Sequence, residues 1–315
     1  IHPLEALQQR LGSETEILYS KGCHTHKYLP RINEKLMADT DGFLVEYFDG
    51  NNFNEGLILE ERLIGSKFWV FEGFAKDVIS KEERPNISVK FSCEYTPDIS
   101  GQHEFEIFGI GQCRLLINDE ELIDNWNNTD PGEAFFTFGS ASRRSIVDFQ
   151  KGKTYRIEMQ YHFEGSFPAV YIGCRVPDEV DLFAEAIEAA SNAEEVVLIV
   201  GTNSDWETEG NDRANFDLPA NQNKLIEAIL EVNQNTALVV NTGSPVNMPW
   251  ANKANAIIQT WFAGQEFGNA LFDILSGEVN PSGKLPTSFP KNIEDTPAYK
   301  SYPGTDLQMN YDEKL

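Results

Sequence analysis

The feature that most constrains this chain is a change of hydrophobic period in its middle. From about Thr40 to Val176 the apolar residues recur at every second position. Val89, Phe91, Cys93 and Tyr95 alternate with Lys90, Ser92 and Glu94. Tyr155, Ile157, Met159, Tyr161 and Phe163 do the same, and Val170, Ile172, Cys174 and Val176 follow. Alternate side chains of a strand point to opposite faces, so this pattern marks strands with one buried face. Asp98–Gly101, Asn118-Asp119 and Lys151-Gly152 supply turns between them. Many short alternating strands without intervening helices predict an antiparallel β-sandwich or barrel.

On either side the pattern is different. Pro3, Leu4, Leu7 and Leu11 have helical spacing closed by Gly12, and Ile17–Tyr19 reads as a brief strand. After Pro177, Phe183, Ala186, Ile187 and Ala190 fall at i, i+3, i+4, i+7, and the unbroken run Val196–Val200 reads as a strand buried on both faces. Leu225–Val232 is a second helix, Thr236–Val240 and Ala256–Trp261 are further strands, and Phe267–Ile274 is a third helix ending at Gly277. Such alternation predicts a parallel sheet with helices on both faces. The expected fold class is therefore α/β plus all-β: an α/β sandwich domain (1–36 and 177–292) interrupted by an inserted β domain (40–176). Residues 293–315, polar and Pro-rich through Tyr302-Pro303, are expected on the surface.

A net charge of −25 disfavours nucleic acid and anionic membrane as partners, both of which need basic surface. No run is long and apolar enough for a membrane span. Cys23, Cys93, Cys113 and Cys174 are scattered with no C-x-x-C pair. They read as free thiols and favour a reducing compartment over secretion. The sequons Asn86–Ser88 and Asn127–Thr129 permit glycosylation in a secreted protein but decide nothing. His24 and His26 have metal-like spacing without a third ligand, and no metal is expected.

The chemistry concentrates after Val200. Asp205, Glu207, Glu209, Asp212 and Arg213 follow the strand at once, where open α/β sheets place their ligand-handling loops. A bond-cleaving pair of carboxyl groups needs one protonated member, and crowding raises carboxyl pKa values. A solvated acidic loop accounts for the same residues.

Several runs resemble family 3 glycoside hydrolases. Glu209–Arg213, E-G-N-D-R, is similar to that family's E-G-Y-D-R, and Asp217–Pro219 follows as D-L-P. Asn241–Trp250 resembles N-S-G-S-P-V-x-M-P-W. Trp261–Ala270 and Gly277–Pro286 resemble W-x-x-G-Q-E-x-G-N-A and G-x-x-N-P-S-G-K-L-P. Leu44–Phe48 and Asp119–Trp126 resemble the PA14 domain, which interrupts the second domain of yeast and some bacterial members.

The resemblance implies a retaining, cofactor-free, exo-acting β-glucosidase that releases β-D-glucose from a β-glucoside or oligosaccharide. It implies that Glu209 is the acid/base, with Glu207 as runner-up. The family's nucleophilic aspartate lies in an S-D-W motif of an N-terminal TIM-like barrel. Ser204-Asp205-Trp206 imitates that motif but sits among second-domain motifs. Asp205 is therefore expected to shape the loop, with Trp206 touching substrate, and the nucleophile is expected outside this chain. Asp212 and Arg213 are expected to brace the loop as an ion pair. In PA14-bearing relatives a loop presents a phenylalanine to the leaving-group sugar; here the candidate is Phe138, with core packing as the alternative. No adjacent Asp-Asp pair stands in the β block, so the calcium site of adhesin PA14 domains is not expected.

The barrel and a C-terminal domain are then missing partners from the same polypeptide, and the isolated fragment is expected to be inactive. A homo-oligomer is compatible with this reading. Two alternatives stay open. One is a family 3 enzyme of other specificity, such as a β-xylosidase; the other is a non-catalytic, carbohydrate-binding PA14 module on an inactive scaffold.

Overall fold

The computed structural model describes residues 1–32, 42–78, 86–127, 129–302, 304 and 308–309. The expected boundary near 36–40, Asn128 of the second sequon, and much of the terminal segment, including Pro303, lie outside the described residues. The chain divides into two compact units. One comprises Ile1–Thr25, Val180–Glu207 and Arg213–Leu315; the other comprises His26–Glu179 and Thr208–Asp212.

The second unit is antiparallel. Its strands are β1 (Phe43–Asp49), β2 (Leu57–Leu63), β3 (Lys67–Trp69), β4 (Asn86–Tyr95), β5 (Gly101–Ile110), β6 (Gln112–Ile117), β7 (Glu120–Asn125), β8 (Arg143–Phe149), β9 (Tyr155–Glu164) and β10 (Ala169–Arg175). They form a six-stranded sheet ordered β2-β1-β4-β9-β6-β7 and a four-stranded sheet ordered β3-β10-β5-β8. The alternating residues meet in one core, where Phe68 of one sheet stacks on Phe91 of the other at 4.6 Å. Asn118 and Asp119 both have positive φ (51° and 68°), as a two-residue hairpin between β6 and β7 demands.

Residues 26–32, expected with the α/β part, belong to this unit instead. The sequence hides the reason, which is that Val170 and Tyr171 of β10 are both buried. Val170 faces the sandwich core, whereas Tyr171 faces outward onto Phe108 (4.6 Å, stacked) and Tyr28. That outer face needs a cover, and the strap Tyr28–Ile32 provides it. The Cys174 amide donates to the Pro30 carbonyl (2.8 Å), and the Tyr171 hydroxyl donates to the Leu29 carbonyl (2.6 Å).

The first unit holds a three-stranded parallel sheet, β11 (Val196–Gly201), β12 (Thr236–Asn241) and β13 (Ala256–Gln259), in that order. Its helices are α1 (Pro3–Arg10), α2 (Leu182–Asn192), α3 (Gln222–Val232) and α4 (Phe267–Leu275). Asp181 caps α2 by accepting from the amides of Phe183 (3.0 Å) and Ala184 (3.1 Å). The α3 stripe packs Leu225 and Ile229 against Ala186 and Ala190 of α2. Ile226 and Leu230 join Leu238, Val240 and Trp250.

Two expectations are corrected here. Val196–Val200 is not buried on both faces: β11 is an edge strand with Ile199 40% exposed, and the buried strand is β12, where Leu238, Val239 and Val240 have no exposure. The edge run is the more apolar of the two (V-V-L-I-V against T-A-L-V-V), so composition cannot tell edge from centre. Ile17–Tyr19 forms no ladder, and Leu18 and Tyr19 are exposed. Among the described residues no helix is long and apolar enough to cross a membrane. The four cysteines are free, and burial pushes the Cys93, Cys113 and Cys174 thiols up to about 12.

Candidate active site

The acidic loop leaves β11 at Gly201. The buried Gln222 amide pairs with both backbone groups of that glycine, donating to its carbonyl (2.8 Å) and accepting from its amide (2.7 Å). Glycine is required there, since a Cβ would lie 1.9 Å from the Asn241 carbonyl oxygen of β12. The chain then turns, with the Trp206 and Glu207 amides donating to the Asn203 carbonyl at 3.0 and 2.9 Å. Asp205 stands inside this turn, its amide donating to the Asn203 side chain (3.0 Å). Trp206 Nε1 donates to the Thr25 carbonyl (2.7 Å), which ties the turn to the N-terminal segment.

Glu207 is the best-held carboxylate of the loop. It accepts from the Thr202 hydroxyl, from the Gly243 amide (3.0 Å) and from the Ser244 hydroxyl (2.9 Å). Its two oxygens thereby join the strand exit to the Asn241–Pro245 segment. A Cβ on Gly243 would meet Glu207 Oε2 at 2.7 Å, so the third residue of N-T-G-S-P is small because this carboxylate lies over it. Beyond the loop, Arg213 Nη2 donates to the Pro245 carbonyl (2.8 Å), and Asn247 donates to Asp217 Oδ1 (2.8 Å).

Thr208–Asp212 belongs to the β unit. Thr208 and Asn211 form an isolated antiparallel bridge, and Gly210 between them has φ +85°. Glu209 and Gly210 are thus the corner of a tight turn that needs positive φ at its second corner. Glu209 is exposed, as is Asp212, whereas Arg213 falls in the α/β unit.

Gly210 lies on the aromatic turn of the β unit. A Cβ there would touch the Cα, Cβ and carbonyl oxygen of Phe136, each at 3.9 Å. That turn is unusual, with Phe135, Phe136 and Thr137 all at positive φ (52°, 59° and 69°). Left-handed backbone is costly for side chains of this size, and runs of it persist only where surroundings hold them. Here the Gly132 amide donates to the Gly139 carbonyl (2.9 Å) and the Gly139 amide to the Ala134 carbonyl (3.0 Å), closing the turn at its base. Phe135 packs inward against Phe108 and Trp69. Phe138 is 75% exposed, so it is not a core residue.

Sequence reasoning missed Thr202, Gly243 and Ser244, although the N-T-G-S-P run held the signal for two of them. It also missed Glu133, which pairs with Lys27 at 2.7 Å; no motif marks it. Among the described residues no group of three or more His, Cys, Asp or Glu is arranged to hold a metal.

The whole chain, residues 1–315, matches the Glycosyl hydrolase family 3 C-terminal domain, and the chain belongs to that family. It is 34% identical over 336 residues to the probable beta-glucosidase I of Emericella nidulans, covering 100% of this chain and 39% of that protein. It is 31% identical over 325 residues to the beta-glucosidase of Rhizobium radiobacter, covering 100% of this chain and 38% of that one. The crystal structure of beta-glucosidase from Kluyveromyces marxianus in complex with glucose superposes with a TM-score of 0.81 at 30% identity. That match covers 97% of this chain and 37% of the other. The chain therefore spans under two fifths of the length of these relatives.

Proposed function

We propose that this chain is part of a retaining β-glucosidase, with Glu209 as its general acid/base and the β unit as an inserted PA14 domain. The observation that carries the assignment within the loop is the contrast between its glutamates. Glu207 has three donors converging on it, while Glu209 stands exposed at the corner of a turn held from behind. A proton donor must reach the leaving oxygen, and a side chain committed to the fold cannot. The names of the relatives support the substrate class.

In this reading the nucleophilic carboxylate is supplied by a part of the polypeptide outside this chain, and the 315 residues alone are inactive. The carboxylate attacks the anomeric carbon while Glu209 gives its proton to the glycosidic oxygen; the bond breaks and the alcohol departs. The ionised Glu209 then takes a proton from water, which attacks the same carbon. β-D-Glucose is released and both carboxyl groups return to their starting states. Phe138 stacks on the leaving-group sugar, Trp206 touches substrate, and Asp205, Asp212 and Arg213 shape the loop.

The test is Glu209→Gln in the full-length protein. Cellobiose cleavage falls on the order of 10²–10⁴-fold, the contribution of a positioned acid. Formation of the glycosyl-enzyme from an activated aryl glucoside suffers much less, because that leaving group needs little protonation. Azide then restores turnover and yields β-glucosyl azide. Glu207→Gln gives neither effect; the reverse result assigns the role to Glu207.

A further inference from the structure

The strap Tyr28–Ile32 covers only part of the outer face of the four-stranded sheet. In the register of β3 and β10, Trp69 stands opposite Ala169 and so shares the outward face of Tyr171, while Phe68 turns into the core. Carrying that register two residues further sets Phe71 against Phe167, and their rings are 6.1 Å apart. The chain here is firmly held. Val70–Glu72 forms a single 3₁₀ turn that ends at Gly73 (φ 92°), whose amide donates to the Val70 carbonyl (3.0 Å). Phe68 and Phe74, both buried, anchor the turn on either side. The Val70 amide donates to the Pro168 carbonyl (3.1 Å), which ties the loop bearing Phe167 to the same turn. Even so, Phe71 is 69% exposed and Phe167 61%. Their rings continue the aromatic turn of the candidate site. Trp69 lies 5.0 Å from Phe71 on one side and 5.5 Å from Phe136 on the other, and Phe136 is the residue on which Gly210 rests. An unbroken strip of rings thus runs through the β unit from the Glu209 turn out to Phe167.

We propose that Trp69, Phe71 and Phe167 form an aglycone site for β-glucosides whose leaving group carries two or more aromatic rings. The proposal deepens the β-glucosidase reading and rests on it. Contiguous apolar rings left in water mark a binding surface, and this one is continuous with the turn that carries Glu209. The first ring of such a leaving group meets the aromatic turn, and the next lies over Trp69 between Phe71 and Phe167. The tilts of the rings select this occupant over a sugar chain. Successive rings along the strip meet at 51°, 80° and 47°. They offer faces and edges by turns, with no flat platform for a row of pyranoses. Aromatic rings bind one another offset or edge-to-face at these spacings, so a strip of mixed tilts suits them. Lys67 adds a polar handle, its ammonium lying 5.4 Å from the Trp69 ring, where a phenolic oxygen of the outer ring can accept from it.

Phe71→Ala and Phe167→Ala in the full-length protein are assayed on the phenyl, biphenyl-4-yl and methyl β-glucosides and on cellotriose. Phenol and 4-phenylphenol are leaving groups of similar acidity, so a difference between them reports contact and not proton transfer. Each variant lowers kcat/KM on the biphenyl glucoside by about 3- to 10-fold, the contribution of one aromatic contact. The phenyl and methyl glucosides, which end short of the outer rings, lose markedly less. A larger loss on cellotriose than on the biphenyl glucoside makes the strip a sugar platform and overturns the proposal. So does an equal loss on every substrate with a lowered unfolding midpoint, which would make both rings packing residues of the complete protein. An unchanged kcat/KM on the biphenyl glucoside overturns it outright. The acid/base assignment fails separately. If Glu209→Gln shows no leaving-group dependence while Phe71→Ala still discriminates biphenyl from phenyl, the strip stands and the role of Glu209 does not. A full-length protein that cleaves no β-glucoside removes the functional reading and this proposal with it.

Discussion

Two neighbouring stretches of the acidic loop solve opposite problems. Thr202–Glu207 belongs to the α/β unit and is held by its side chains: Glu207 spans to Gly243 and Ser244, and Trp206 reaches back to Thr25. Thr208–Asp212 belongs to the β unit and is held by its backbone bridge, with Glu209 left exposed. The lesson is that a cluster of acids in a sequence does not share one role. An acid that braces a loop spends its acceptor capacity on the fold, while one that does chemistry must stay accessible. The contrast can be broken by measurement, because bracing residues report on stability and accessible ones on rate.

The largest expected effect separates the two glycines of the loop. Gly201→Ala drives a Cβ to 1.9 Å from the Asn241 carbonyl, a backbone atom at the end of the parallel ladder. The ladder end must open, at a cost of about 4 kcal/mol or more. Gly210→Ala meets nothing closer than 3.9 Å and pays only for its φ of +85°, roughly 1–2 kcal/mol. Denaturant titration of the chain ranks them. Equal midpoints would show that the ladder end yields, and the structural half of the comparison would be wrong.

The next effect concerns the glutamates themselves. Glu207→Ala leaves the Gly243 amide and two hydroxyls without their acceptor. Hydrogen bonds to charged groups contribute about 1.5–3 kcal/mol each when buried, and this half-buried site regains part from water, so a net loss near 2 kcal/mol is expected. Glu209→Ala should stay within about 0.5 kcal/mol of the parent, as exposed substitutions do. If the two lose the same amount, Glu209 is also a brace, and the distinction between the segments collapses.

Much of this fold was legible before any coordinates. Period-2 alternation marked β4, β9 and β10, and period 3.6 marked α2, α3 and α4, because burial of one face writes itself into local spacing. What stayed hidden depends on partners remote in sequence. Val196–Val200 and Thr236–Val240 look alike, but only the sheet order makes one an edge and the other a centre. Tyr28 and Leu29 carry no period that assigns them to the outer face of β10. At the site, Asp205–Arg213 was visible as a run of acids, yet the sorting of Glu207 from Glu209 required Ser244. The left-handed backbone of Phe135–Thr137 was invisible because it uses no glycine, the residue by which such turns are usually read. Glu133 was invisible for a different reason: its partner Lys27 lies far away in the sequence.

The smallest effect is the most selective. Phe138 stands 75% exposed beyond the left-handed turn, while Phe135 carries the packing beneath it on Phe108 and Trp69. Removing the outer ring should therefore leave the fold alone. A ring stacked on a sugar contributes about 1 kcal/mol beyond simple burial, which corresponds to roughly a five-fold change in kcat/KM. In the full-length protein, Phe138→Ala should show that loss with disaccharides and alkyl glucosides, whose leaving groups the ring would face. Longer oligosaccharides should lose less. Phe135→Ala should do the reverse, lowering stability by several kcal/mol and affecting all substrates alike through the loss of folded protein. If Phe138→Ala lowers every substrate equally and shifts the unfolding midpoint as well, the exposed ring is packed in the complete protein. The aromatic turn would then be a brace like Glu207 and not the sugar contact proposed for it.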